Sequence, residues 1–370
     1  MSISESTSTF TAKTALDMAE KAAKTIMKTF IPTELPPANE WHYHQGVYLY
    51  GMQRVWEKTN NQEYFDYLKG YIDHLVDEEG NFLFERDQLD SIQVGILLFP
   101  LLEATKDERY KKAADKLRNL FGTLNKTKEG AFWHKDKYPY QMWLDGLFMA
   151  GPFALMYQRT FNEEGLNEMV LYQEKLMRKN MKDEKTGLLY HAYDENRKMA
   201  WANKETGCSP EFWGRSVGWY GTALIDILEL LPIDHKGRGE LIESLQSLIK
   251  GIANFQDEKT GLWYQIVDKG NQEDNWLESS CSSLFIYTIA RAVEAGYIGR
   301  EYKEVALKGY QGLLNEMIEV SDETLTMKGI CIGTSAGVYD YYVARPVSEN
   351  DLHGVGAFIL ASMALANSIE

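Results

Sequence analysis

Two aspartates stand at matching points of the chain. Asp90 lies in LDSIQVG and Asp145 in LDGLFMAG, and each follows a leucine and opens an apolar run. Taken singly, an aspartate in such a place is an N-cap, accepting a hydrogen bond from an unpaired backbone N–H of the helix it starts. Two of them at the same end of neighbouring segments, with Lys135, His191 and Arg215 in similar stretches, point instead to a carboxylate pair for acid–base work. Trp143 sits two residues before Asp145. Arg215 and Trp219 are spaced i, i+4 in EFWGRSVGWYG and share one helix face. A guanidinium grips a carboxylate bidentately, and an indole stacks on the C–H surface of a sugar, so this pair suits a ring bearing a carboxylate. The plainer alternative pairs Arg215 with Glu211 as a structural ion pair.

The elements that must position these groups are written in a repeat. DEEGNFLF, TKEGAFWH, DEKTGLLYH and DEKTGLWYQ each join a charged turn to a glycine and an apolar–aromatic pair, at Gly80, Gly130, Gly187 and Gly261. TMKGICIG at Gly329 is a degenerate further copy, and PANEWHYHQG near Trp41 holds the place of the first. Before each loop lies an amphipathic stretch with apolar residues at three- and four-residue intervals, the pattern of a surface helix. After each lies a stretch that is apolar nearly all round, which must be buried on most sides. Six outer helices alternating with six inner ones predict an all-α fold, an (α/α)6 barrel, with the glycine loops opening together on one face. A linear α-solenoid is the alternative, with shorter and more regular repeats and capping ends. The predicted unit is one barrel domain over residues 11–370, after a loosely held or disordered residues 1–10. Eight of nine tryptophans fall in those loops or at inner-helix starts. That predicts either a pocket with aromatic walls or a set of rings plugging the wide end of the barrel.

Composition narrows the function. The 370 residues are 44% hydrophobic and 25% charged, ordinary for a globular protein. A formal charge of −15 argues against a nucleic-acid partner, which would want a basic face. The first residues, MSISESTSTFTAK, lack a basic segment followed by an apolar one, so they do not read as a secretory signal. No apolar run reaches membrane-spanning length. Three widely spaced cysteines argue against a disulfide framework, and the expected location is the cytoplasm. His42 and His44 have no accompanying ligand set, so no metal is expected. No GxSxG elbow, P-loop or dinucleotide fingerprint is present.

The segments WLDGLFMAGPF, HYHQG, LD at 89–90 and WGRSVGWYG resemble glycoside hydrolase family 105, whose members include unsaturated rhamnogalacturonyl hydrolases. The unsaturated glucuronyl hydrolases of family 88 are close relatives and the nearest alternative. The resemblance covers roughly residues 11–370. It implies an (α/α)6 barrel with its site at the loop end of the inner helices, no cofactor, and a small unsaturated oligosaccharide as substrate; a monomer or weak homo-oligomer is expected. It implies that Asp145 is the general acid/base and Asp90 its support. Tyr43, His44, Lys135, Trp143, His191, Arg215 and Trp219 would line the pocket, while 135–140 and 338–345 would set the leaving side. In this reading Asp145 protonates C4 of a C4=C5 double bond and water adds at C5. That requires a carboxyl protonated near neutral pH, and burial beside Trp143 is expected to raise it. A non-catalytic carbohydrate-binding barrel would share the aromatic lining.

Overall fold

The computed structural model describes residues 11–368; the expectation for residues 1–10 lies outside them. The outer helices are α1 (Ala12–Thr29), α3 (Gln62–Leu75), α6 (Glu108–Arg118), α8 (Leu166–Met181), α10 (Arg238–Asn254) and α12 (Tyr302–Gly312). The inner helices are α2 (Tyr43–Thr59), the pair α4 (Asp90–Gln93) and α5 (Leu98–Thr105), α7 (Gly146–Phe161), α9 (Gly214–Leu230), α11 (Ser279–Glu294) and α14 (Leu352–Ser368). A short α13 (Tyr339–Val343) precedes the last of these.

The two helix sets differ as their patterns require. In α1 only Ala15, Ala19, Ala22, Ala23, Thr25 and Ile26 are buried, one stripe along the helix. In α14 every residue from Leu352 to Ala366 is buried. Each large side chain so buried contributes roughly 1.5–3 kcal/mol. Three of the six outer helices begin on side-chain caps: Thr11, Asn61 and Asp107 each accept from a backbone N–H of the first turn.

The inner set closes on itself. α2 packs on the α4 segment, α4 on α7, α7 on α9, α9 on α11, α11 on α14, and α14 returns to α2. That last contact makes a ring and excludes the open solenoid. It depends on small residues: a Cβ on Gly356 would lie 2.6 Å from the Val47 carbonyl carbon. The five loop glycines, including the degenerate Gly329, all have φ between 71° and 95°, the left-handed region that favours glycine. At Gly187 a Cβ would also meet the Ser247 carbonyl oxygen at 2.8 Å.

One expectation needs correction. The second inner helix is not continuous, because Val94–Leu97 narrows to a 3-10 turn between α4 and α5. Pro100 accounts for this: it has no N–H for the Ile96 carbonyl and its ring crowds that group. Short strands also form. β1 (Gln141–Trp143) pairs antiparallel with β2 (Ala192–Asp194), Trp143 opposite Ala192. β3 (Ile318–Val320) pairs with β4 (Leu325–Met327), and β5 (Ile330–Cys331) with β6 (Val347–Ser348).

Candidate active site

The loops deliver the two aspartates in the same way. The Leu89 N–H bonds the His134 carbonyl at 3.0 Å, and the Leu144 N–H bonds the His191 carbonyl at 2.9 Å. Each leucine precedes an aspartate, so each aspartate is held beside a histidine from the next loop. His134 Nε2 lies 3.1 Å from Asp90 Oδ1, and His191 Nε2 lies 3.1 Å from Asp145 Oδ2. His134 was missed in the sequence reading. Its signal was there: TKEGAFWH and KTGLLYH both place histidine four residues after the loop glycine.

Neither aspartate caps its helix. Asp145 sits at the N-cap position of α7 in a helical conformation and its side chain makes no capping bond. Asp90 is already inside α4. Glu278 shows the contrast, accepting from the Ser280 and Cys281 N–H groups at the start of α11. The carboxylates of Asp90 and Asp145 are therefore turned to another purpose. Asp145 is only 8% exposed. Asp145 Oδ2 and His191 Nε2 are at ion-pair distance yet off the line of a hydrogen bond, as are Asp90 Oδ1 and His134 Nε2. Asp90 Oδ1, Asp145 Oδ2 and His191 Nε2 are buried with no hydrogen-bond partner. Buried polar atoms left so are rare and costly, and a bound ligand would satisfy them.

The electrostatics follow from these neighbours. Burial pushes the Asp90 carboxyl up, but His134 and Lys135 outweigh it and hold it well below the usual range. Lys135 Nζ is 2.7 Å from Asp90 Oδ2. Burial also pushes Asp145 up, while His191, then His134, pull it down and Asp90 pushes it up again; the net direction is downward. This corrects the expected rise, which takes in burial and a nearby His191 but neither that histidine's pull on the carboxyl nor His134. Tyr43 faces the same space, with Arg215, Asp90, Asp145 and Asp351 around its hydroxyl, and burial raises it well above the usual phenol range.

The other anticipated residues divide. Trp143 is beside the pair, stacked on His134 at 4.7 Å and on Tyr138 at 4.6 Å, with its edge to His191 at 5.3 Å. Trp219 is 1% exposed and stacked on Phe148 at 4.6 Å, inside the core. Arg215 is 1% exposed, lies over the Trp213 ring at 4.6 Å, and donates to Cys331 O, Ile332 O and Ser280 Oγ. Arg215 and Trp219 thus do not form one exposed wall, and Glu211 pairs with Lys269 at 2.6 Å instead of Arg215. Trp213 and Trp263 are also fully buried, so much of the tryptophan set plugs the barrel end. His44 meets Asp351 at 3.3 Å, and His353 meets the same oxygen at 3.0 Å. Among the described residues these three are a group with the makeup of a cation site; they already partner one another, and no chemistry is assigned to a cation there. A cavity of about 700 Å³ opens at the opposite end, lined by Tyr50, Arg54, Phe99, Arg159, Asp226 and Glu229 among others, far along the inner helices from the aspartates.

Residues 18–368 match the family described as Glycosyl Hydrolase Family 88. The chain is also 37% identical to a structurally analysed family 105 glycoside hydrolase of C. acetobutylicum ATCC 824, over 94% of this chain and 99% of that one, with a TM-score of 0.89. The chain belongs to the family 88/105 glycoside hydrolases. Another relative is the unsaturated rhamnogalacturonyl hydrolase YesR of Bacillus subtilis (strain 168), 28% identical over 300 residues, which span 78% of this chain and 81% of that protein. The unsaturated glucuronyl hydrolase of Bacillus sp. GL1, described as responsible for glycosaminoglycan degradation, shares the fold at 14% identity and a TM-score of 0.72, over 95% of this chain and 96% of that one. This glycoside hydrolase is thus an all-α barrel, with its paired aspartates at the loop end of the inner helices. No helix among its described residues is long and apolar enough to cross a membrane.

Proposed function

We propose that this hydrolase removes an unsaturated galacturonic acid from the non-reducing end of lyase-generated rhamnogalacturonan fragments, with rhamnose on the leaving side. The observation that carries the chemistry is Asp145: buried, not a cap, 3.1 Å from His191, and with one oxygen lacking a hydrogen-bond partner. The choice of galacturonyl over glucuronyl rests on the similarity to YesR.

In the proposed reaction Asp145 gives its proton to C4, forming the new C–H bond from the double-bond electrons and leaving positive charge shared by C5 and the ring oxygen. Water adds at C5 and returns its proton to the Asp145 carboxylate. The resulting hemiketal opens, its hydroxyl proton passing to the ring oxygen, and the hemiacetal left at C1 collapses with release of the sugar alcohol. No bond to the anomeric carbon is attacked first, so carboxylate spacing does not assign retention or inversion. The protein's own groups hold Asp145 low. An anionic uronate beside it adds negative charge and expels water, and both favour the protonated form. Asp90, fixed as an anion by His134 and Lys135, acts in the same direction and orients the sugar or the water. Lys135 at the rim and the N–H groups of Arg215 not taken by protein acceptors supply positive charge for the uronate.

The test is loss of the conjugated double bond's ultraviolet absorbance, with unsaturated disaccharides from rhamnogalacturonan, chondroitin and heparin supplied in parallel. The expected result is fastest loss with the rhamnogalacturonan product. A preference for the glycosaminoglycan products would replace the substrate, and no loss with any would remove the hydration reaction.

A further inference from the structure

The two aspartate–histidine pairs are alike up to the imidazole and differ behind it. His134 Nδ1 is buried without a hydrogen-bond partner. His191 Nδ1 lies 2.7 Å from the Tyr342 hydroxyl, 151 residues away in the chain. Both His191 and Tyr342 are fully buried. Tyr342 belongs to α13, in the stretch assigned by sequence to the leaving side, yet its side chain turns inward.

A phenol has one proton to give and two lone pairs. One lone pair of Tyr342 accepts the Gly337 N–H at 3.1 Å. Burial holds its ionisation well above the usual range, so it keeps its proton. That proton needs an acceptor, and His191 Nδ1 is the one beside it. When the hydroxyl donates there, Nδ1 is a bare lone pair and the ring proton sits on Nε2, facing Asp145. An imidazolium would carry a proton on Nδ1 as well. It would turn the tyrosine into an acceptor twice over and strand its O–H in the core, a buried donor left unsatisfied.

We propose that Tyr342 is a positioning residue that holds His191 neutral with its proton on Nε2, and so keeps the proton of the Asp145–His191 pair on the carboxyl that must deliver it. The proposal rests on Asp145 being the proton donor. The logic is that of a third group fixing an imidazole tautomer behind a reacting one, here with a neutral hydroxyl in place of a carboxylate. A carboxylate would favour the imidazolium; a hydroxyl with its acceptor side occupied opposes it. The other charged groups facing this pair are Asp90 and His134 across from Asp145, Arg215 beyond the Trp213 ring, and Glu211, whose carboxylate is bound to Lys269.

The direct test is 15N NMR of the histidine rings of the full-length protein, with His191 assigned by its loss in His191→Gln. The expected result at neutral pH is a neutral ring protonated at Nε2. A ring protonated at Nδ1, or at both nitrogens, overturns the proposal, and this reading does not depend on activity. The second arm is Tyr342→Phe, which keeps the ring and its packing. It should lower kcat roughly tenfold or more with little change in KM. Because the imidazolium is then permitted, the pair holds its proton more tightly, and the alkaline limb of the pH–kcat profile should move to higher pH. A lower kcat with an unmoved limb would mean a packing role only and would overturn the proposal. Activity unchanged by Asp145→Asn would instead break the proton-donor reading, leaving the NMR result to stand alone.

Discussion

Asp90 and Asp145 are products of the same repeat, delivered by the same leucine-to-histidine backbone bond and faced by the same imidazole nitrogen. Their surroundings have diverged. Asp90 takes a lysine as well as a histidine, and its histidine has nothing behind it. Asp145 has one imidazole, backed by a tyrosine, and no lysine. The first arrangement makes a permanent anion. In the proposed reaction the second leaves a carboxyl that the arrival of substrate tips. A third buried aspartate, Asp226 at the far end of α9, shows what burial does when no imidazole is near. It accepts from Tyr287 at 2.6 Å and Tyr50 at 3.1 Å, and burial, only partly opposed by Arg54, lifts it to about 6. Burial is the common factor in all three; the neighbouring basic groups decide the direction.

The comparison can be broken most decisively at the carboxyls. Asp145→Asn should lose about 10²–10⁴-fold in kcat while its melting temperature and circular dichroism stay near wild type. Near-normal turnover in a folded variant would end the donor assignment. Asp90→Asn should cost less, roughly tenfold to a hundredfold, and should raise KM as well, because it leaves Lys135 and His134 without the anion they hold. If Asp90→Asn proves the more damaging in kcat, the two roles are reversed. At the histidines the effects should be smaller still and unequal: His191→Gln should reduce kcat more than His134→Gln, as steady-state kinetics would show.

The smallest effects concern stability, and they have opposite signs. Asp90 is depressed in the folded protein, so its contribution is present above the ordinary carboxylate range and is lost as pH falls through and below that range. Asp226 is raised, so its contribution is present below its unfolded value and is lost as pH climbs through about 6. Melting temperatures measured from about pH 2 to 8 should therefore show Asp226→Asn gaining on wild type as pH rises through about 6. Asp90→Asn should lie below wild type near neutrality and close the gap as pH falls through and below the ordinary carboxylate range. Parallel curves for either variant would show that its shift is absent.

The barrel was legible because its determinants are local. The stripe on α1 and the all-round burial of α14 are both readable from the spacing of apolar residues. The loop glycines announced themselves by recurring beside a charged turn, and their left-handed backbone explains why that residue is needed there. The second inner helix was misjudged because its apolar pattern continues through a proline that interrupts the backbone bonding. In the site, Asp90, Asp145, Trp143, Lys135 and His191 share one neighbourhood as expected. Trp219 and Arg215 were placed by helix spacing at a pocket wall, but spacing gives a shared face and not what that face meets. One meets Phe148 and the other the carbonyls of residues 331 and 332.

By itself the sequence determined the alternation of outer and inner helices, the turns that join them, and the address of two aspartates at one end. These follow from periodicity and from backbone conformation, which a chain specifies over a few residues at a time. Only the tertiary structure decided which imidazole faces which carboxylate, whether burial or charge prevails at each, and that a tyrosine 151 residues away stands behind one histidine and not the other. Those outcomes arise where the ring closes and distant units touch, and electrostatic and hydrogen-bond partners across such contacts leave no mark in local spacing.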